Sequence, residues 1–285
     1  MQTERLPLRA DRADVYLQAY WLDNSTEFQT NRRRPIVIVC PGGGYRATSD
    51  REAEPIALRF LARGCHAAVL RYTVLAPFPA PMLDLARAIV AVRQRAAERW
   101  VDPERVSVCG FSAGGHLAAA LGVKWDKPEL HSALGVSPEA IRPNALILGY
   151  AVIDLETVVR PAPVIDPQTG RSGPDTGIVA SVFGEPQPPE ELLAAWRLDE
   201  HVSPATPPTF MWHTAADQVV PAANALRFAA ALDAHRVPYE LHIFQTGGHG
   251  LALADETTDT DDGHLINREA QAWVDLALRW LKRQA

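Results

Sequence analysis

Ser112 lies in Gly110-Phe111-Ser112-Ala113-Gly114, a G-x-S-x-G pentapeptide. A serine hydroxyl attacks a carbonyl carbon only when a base takes its proton and a third group orients that base. The apolar run Val106-Ser107-Val108-Cys109 precedes the pentapeptide, and Gly115-His116-Leu117-Ala118-Ala119-Ala120-Leu121 follows it with helical composition. A tight turn between such a strand and such a helix lifts the serine Oγ to the end of a sheet. It also sets the hydroxyl at a helix N-terminus, where negative charge is favoured. A glycine-rich helix start is the plainer reading of the pentapeptide, but it gives the preceding strand no role.

The expected base is His249, in Gly247-Gly248-His249-Gly250, directly after a strand candidate ending at Phe244. Flanking glycines let the backbone turn the imidazole back over the sheet. A lone loop histidine is otherwise a surface residue. His116 falls on the helix behind the serine, His213 and His242 fall in apolar strands, and His264 is the one rival. The orienting acid is expected between serine and histidine in chain order. Asp217 meets that condition, following Thr209–His213 through Thr214-Ala215-Ala216 and leading into Gln218-Val219-Val220-Pro221. Its plain reading is a turn or N-cap aspartate. Asp154 and Asp199 are weaker candidates because each borders a proline-rich segment.

A tetrahedral intermediate needs N–H donors aimed at its oxyanion. Pro41-Gly42-Gly43-Gly44-Tyr45 supplies backbone amides with no side chain in the way, and Ala113 N–H lies just past the serine. A glycine loop can also cradle phosphate, but no Gly-Lys-Ser/Thr follows and the spacing departs from G-x-G-x-x-G. Asp255, Glu256, Asp259, Asp261 and Asp262 crowd one segment without the ligand alternation of a calcium loop, and are expected to be a solvated acidic loop.

The elements that must position these groups alternate. Strands are predicted at Pro35–Cys40, around the run Ile36-Val37-Ile38-Val39, and at His66–Tyr72, Val106–Cys109, Ala145–Val152, Thr209–His213 and Tyr239–Phe244. Between them, helical spacing is found over about 51–63, opened by a Ser49-x-x-Glu52 capping box, and from Met82 to Trp100. Further helices are predicted at Ala222–Ala234, with Leu226, Phe228, Ala229 and Leu232 inward, and at Leu265–Leu281. Such alternation predicts an α/β fold with a doubly wound, mostly parallel sheet. The first thirty residues, with Val15-Tyr16-Leu17 and Ala19-Tyr20-Trp21-Leu22, are expected to supply an antiparallel pair at one edge. Residues 155–208 break the pattern, holding ten of the 23 prolines, from Pro161 and Pro163 to Pro207 and Pro208. They are too polar for a second core. A single domain over 1–285 is expected, with 155–208 a cap-like insertion over the active site and one helix at Glu190–Trp196.

Composition narrows the classes. Of 285 residues, 47% are apolar, enough for a substantial core. A net charge of −6, with Arg32-Arg33-Arg34 the densest basic spot, argues against nucleic acid as a partner. The N-terminal residues Met1–Pro7 lack the apolar stretch of a secretory signal, and no run approaches a membrane span. Cys40, Cys65 and Cys109 each border an apolar run and read as buried free thiols of a cytoplasmic protein. Trp196, Trp212 and Tyr45 could stack on a sugar ring, although burial is the commoner fate of aromatics.

With serine, acid, base and glycine loop identified, the chain resembles the α/β-hydrolase superfamily. It looks closest to bacterial acetyl xylan esterase-like carbohydrate esterases, which share the glycine loop with hormone-sensitive-lipase relatives. The resemblance spans nearly the whole chain: Cys40–Tyr45, Ser49–Ala53, Arg71-Tyr72, Pro79-Ala80-Pro81, Gly110–Ala119, Pro207–Phe210, Asp217–Pro221 and Gly248–Gly250. It implies Ser112 as nucleophile, Asp217 as acid, His249 as base, and Gly43, Gly44 and Ala113 as oxyanion donors. It further implies a serine esterase acting on short acyl groups, acetate above all, with acetylated oligosaccharides among its substrates. Neither cofactor nor metal nor membrane is implied. Where relatives carry histidine before the three glycines, this chain has Pro41, which puts the bracing of that loop in question. An amidase or formamidase would use the same triad. A peptidase fits less well, because no gating domain precedes the catalytic region. A non-catalytic binding protein would more often have lost a triad residue.

Overall fold

Seven residues of β-branched and small apolar character, Arg34–Cys40, form the strand around which the molecule is built. In a computed structural model describing residues 1–27, 30–159, 176–185 and 188–284, it lies near the centre of one eight-stranded sheet. The strands are β1 (Gln2–Pro7), β2 (Tyr16–Trp21), β3 (Arg34–Cys40), β4 (His66–Arg71), β5 (Val101–Phe111), β6 (Ala145–Gly149), β7 (Thr209–Thr214) and β8 (Tyr239–Phe244). They are ordered β1-β2-β4-β3-β5-β6-β7-β8, with β4 through β8 parallel and β1 and β2 antiparallel at one edge. The first thirty residues thus supply the expected antiparallel edge pair, with residues 15–22 giving one of its strands and Gln2–Pro7 the other.

Side chains alternate across the sheet, so β3 sends Ile36, Ile38 and Cys40 to one core and Val37 and Val39 to the other. Helices Ala80–Gln94, Ser112–Lys124 and Ala223–Ala234 cover the first face with Leu85, Ile89, Leu117, Leu121, Phe228 and Leu232. Helices Glu54–Leu61 and Trp273–Arg283 cover the second with Ile56, Phe60, Trp273 and Trp280. This is the doubly wound α/β arrangement. The chain runs from β3 outward to β4 and then back across to β5, so the loops after β3 and β5 diverge at the switch point. Ligands of such sheets lie in that crevice, at the carboxyl ends of the strands.

Several boundaries shift for physical reasons. Leu226 is exposed, because residues 225, 228, 229 and 232 already define the buried stripe of its helix. The last helix starts at Trp273 after a 3-10 turn at Ala270–Ala272, and residues 265–269 lie outside any helix. Ser49 makes no side-chain cap: residues 50–52 form a 3-10 turn, and Glu52 is buried elsewhere. Within 155–208, helices Glu156–Val159, Thr176–Phe183 and Glu190–Ala194 are present, and Leu155, Ile178, Val182, Leu193 and Leu198 join the first core. Pro161, Pro163, Pro167, Pro174 and Pro186 lie outside the described residues. All three thiols are free and buried, and burial pushes each above its usual pKa. No helix among the described residues is long and apolar enough to cross a membrane.

Candidate active site

Strand β5 ends at Phe111 in extended geometry, and Ser112 opens the following helix with φ +51°. A non-glycine residue in this left-handed region is strained by about 1–2 kcal/mol, and such strain is retained where a fixed side-chain direction is needed. The Ser112 hydroxyl is 2.8 Å from His249 Nε2, and His249 Nδ1 is 2.7 Å from Asp217 Oδ2. A carboxylate only accepts, so Nδ1 carries the proton and Nε2 is free to accept from Ser112 Oγ. The structure thus brings together the three residues singled out from sequence. Asp154 instead pairs with Arg227 (2.6 Å), Asp199 with Arg197 (3.3 Å), and His264 is bonded to neighbouring Asp262.

The turn after β7 holds the Asp217 carboxylate from several sides. Val219 and Val220 N–H each donate to Oδ1 at 2.9 Å. His213 Nε2 donates to Val220 O at 2.8 Å and faces Asp217 Oδ2 at 3.4 Å. Burial alone would raise this carboxyl; attraction to His249 and bonds from His213, His249 and Val220 outweigh it and hold Asp217 well below the usual carboxylate range. A depressed native pKa contributes stability above the ordinary aspartate value of 3.8, and that contribution is lost as pH falls below it toward the native value. Asp217→Asn should therefore be less stable than the parent at neutral pH. The two urea midpoints should converge in acid; a gap that is constant from about pH 6 to about pH 3 would refute the linkage.

Beside the serine lies the glycine loop. A Cβ on Gly42 would stand 3.0 Å from Ser112 Cβ and 2.7 Å from Glu52 Oε2, so only glycine fits this approach. Gly42 N–H is already given to Glu52 (2.7 Å), whereas Gly43 and Gly44 N–H donate to no group among the described residues. Ala113 N–H is in the first helical turn, where no residue four positions back accepts it. Tyr72 donates its hydroxyl to Pro41 O (2.7 Å) and Leu75 N–H bonds Tyr45 O (2.8 Å), which braces the loop.

Sequence reading missed Glu52, Tyr150 and Arg51. Tyr150 donates to Glu52 Oε1 (2.6 Å), accepts from Ala252 N–H (3.0 Å), and packs its ring against the His249 imidazole at 5.1 Å. Arg51 bonds Gly250 O at 2.8 Å. Glu52, which matches a capping box, thus holds loops instead, a role visible only once the loop after β3 and the His249 loop meet. Tyr45 and Trp212 are buried and cannot stack on a sugar. Tyr45 bonds His116 Nδ1 (2.8 Å), and burial, aided by Lys124, lowers the His116 pKa to about 3. Trp196 is half-buried against Phe78, with ring centroids 4.6 Å apart. Among the acids at 255–262, Asp255 pairs with Arg59 and Asp259 accepts from Leu265 N–H (3.0 Å).

This geometry can deprotonate a serine, stabilise the resulting imidazolium and offer free amides to an oxyanion. The BD-FAE family model matches residues 22–232, a span holding Ser112 and Asp217 but ending before His249. A carboxylesterase from Lactobacillus plantarum WCFS1 is 34% identical, with a TM-score of 0.84 over 100% of this chain and 98% of its own. An acetyl ester-xyloside bifunctional hydrolase from Caldicellulosiruptor lactoaceticus is 33% identical, with a TM-score of 0.78 over 98% of this chain and 96% of its own. Endo-1,4-beta-xylanase B of Butyrivibrio fibrisolvens is 33% identical over 234 residues, 79% of this chain. The chain spans only 33% of that xylanase's length.

Proposed function

The chain belongs to the BD-FAE family and has the α/β-hydrolase fold of known carboxylesterases, and from that premise we propose that it hydrolyses short-chain acyl esters, acetate above all, through a Ser112-His249-Asp217 triad. The hydrogen-bonded chain Ser112 Oγ, His249, Asp217 is the observation that carries this reading. Ser112 Oγ attacks the ester carbonyl as His249 Nε2 takes its proton, and Asp217 stabilises the imidazolium. The negative charge on the carbonyl oxygen is met by Gly43, Gly44 and Ala113 N–H. His249 then gives the proton to the departing alcohol, leaving Ser112 acylated. Water, deprotonated by His249, attacks the acyl carbon and releases the carboxylate, and the proton returns to Ser112.

Acetylated xylo-oligosaccharides are proposed as natural substrates, a reading supported by the acetyl ester-xyloside hydrolase among the relatives. The segment 155–208 is proposed to act as the cap over the site. Its described part is tied by bonds between Phe78 N–H and Val182 O (3.0 Å) and between Leu198 N–H and Ile153 O (3.1 Å). Initial rates on p-nitrophenyl acetate, butyrate and octanoate, beside acetylated xylo-oligosaccharides, test both proposals. Acetate release from aryl ester and sugar, with octanoate slowest, is expected. Aryl-ester turnover without sugar deacetylation removes the sugar substrate; turnover of N-acyl substrates alone removes the esterase reading.

A further inference from the structure

Glu52 is a carboxyl group buried next to the reacting serine that the triad does not use. Its two oxygens have different partners: Oε2 accepts Gly42 N–H at 2.7 Å, and Oε1 accepts the Tyr150 hydroxyl at 2.6 Å. Gly42 belongs to the loop after β3, whose next two amides donate to no group among the described residues. Tyr150 follows β6, is itself in the left-handed region at φ +35°, and accepts Ala252 N–H at 3.0 Å from the segment that carries His249. One carboxyl therefore links the oxyanion side of the site to the base side.

We infer that Glu52 is a positioning residue for catalysis, clamping the glycine loop through Gly42 and the His249 loop through Tyr150. This rests on the esterase reading above, since it assigns Gly43 and Gly44 to the oxyanion. Two features favour it over a merely structural role. The Gly42 approach is so close that a Cβ there would meet Glu52 Oε2, Phe111 O and Ser112 Cβ within 3.0 Å, so loop, clamp and serine are in register. Glu52 also takes Gly42 N–H, the first glycine amide of the loop, while those of Gly43 and Gly44 donate to no group among the described residues. Glutamine reproduces the clamp only incompletely. With its one oxygen on Gly42 N–H, its NH2 group faces the Tyr150 hydroxyl, which must turn its own proton away and accept where it had donated.

The test compares wild type, Glu52→Gln and Tyr150→Phe on p-nitrophenyl acetate, with active sites titrated by paraoxon so that rates refer to competent enzyme. An aryl trifluoromethyl ketone, which forms an oxyanion on Ser112, is measured alongside. For Glu52→Gln, kcat per titrated site should fall about tenfold or more while KM moves less than about threefold, the split expected when an interaction made in the transition state is lost. Ketone affinity should fall in parallel with kcat/KM. Tyr150→Phe, which leaves Glu52 on Gly42 but frees Ala252, should lose less, and it carries the test if the glutamine variant does not fold. Unchanged kcat and ketone affinity per titrated site in the variant that folds overturn the inference. Wild-type protein without paraoxon-sensitive turnover overturns the esterase reading itself, and the clamp with it.

Discussion

Ser112→Ala should lower kcat on p-nitrophenyl acetate by at least about 10⁴-fold, with little change in thermal midpoint. The size follows from the role: without Oγ, His249 has no group to deprotonate, and the remaining amides only bind. Members of such a unit are not additive, so adding His249→Ala to Ser112→Ala should cost little more. Stability should hardly move, because alanine retains the left-handed backbone at φ +51° and loses only one partly exposed hydrogen bond, about 1 kcal/mol. Ser112→Gly separates the two effects further. It is equally inactive, but glycine has no Cβ to strain at positive φ, so it should be at least as stable as the alanine variant. Retained turnover in a folded Ser112→Ala protein would dismiss the triad.

Gly114→Ala is expected to do the opposite, damaging the fold first and activity as a consequence. A Cβ at Gly114 would collide with the carbonyl oxygens of Cys40 and Pro41 and stand 2.7 Å from the Cys40 carbonyl carbon. These are backbone atoms at the end of β3, so no side chain can swing aside. Overpacking against backbone should cost about 3 kcal/mol or more, lowering the melting temperature by roughly 6–12 °C for a domain of this size. Relief can come only by pushing the helix away from β3, which displaces Pro41 and Gly42 and hence the loop beside Ser112. Melting curves and rates on purified Gly114→Ala check both parts. A melting point within about 2 °C of the parent would show that the helix can retreat freely.

Much of this site was legible because chain order and strand context act together. Ser112, Asp217 and His249 each follow a parallel strand at its carboxyl end, so hydrophobic runs located the residues before any contact was known. The β-branched runs of β3 and β7 likewise announced buried strands. Glu52 was not legible: S-x-x-E is satisfied by a helix start, and only the tertiary approach of Gly42 and Tyr150 reveals a better use for the carboxyl. Leu226 and the start of the last helix were misplaced because local periodicity cannot say which residues complete a stripe that tertiary packing has already filled. Tyr45 and Trp212 were offered as sugar platforms on residue type, and their burial depended on which way each element faces.

The three enclosed thiols give the molecule a built-in record of opening. Cys40 ends β3, Cys65 precedes β4 and Cys109 lies in β5, so together they sample the centre of the sheet. With no water contact at Cys40 or Cys109 and the thiolate disfavoured, alkylation must wait for the sheet to part. Iodoacetamide should therefore leave the native enzyme active while labelling Cys40 and Cys109 at the pace of large-scale unfolding. Serine-directed reagents report on function and thiol-directed reagents on integrity, two independent clocks within one unmodified chain.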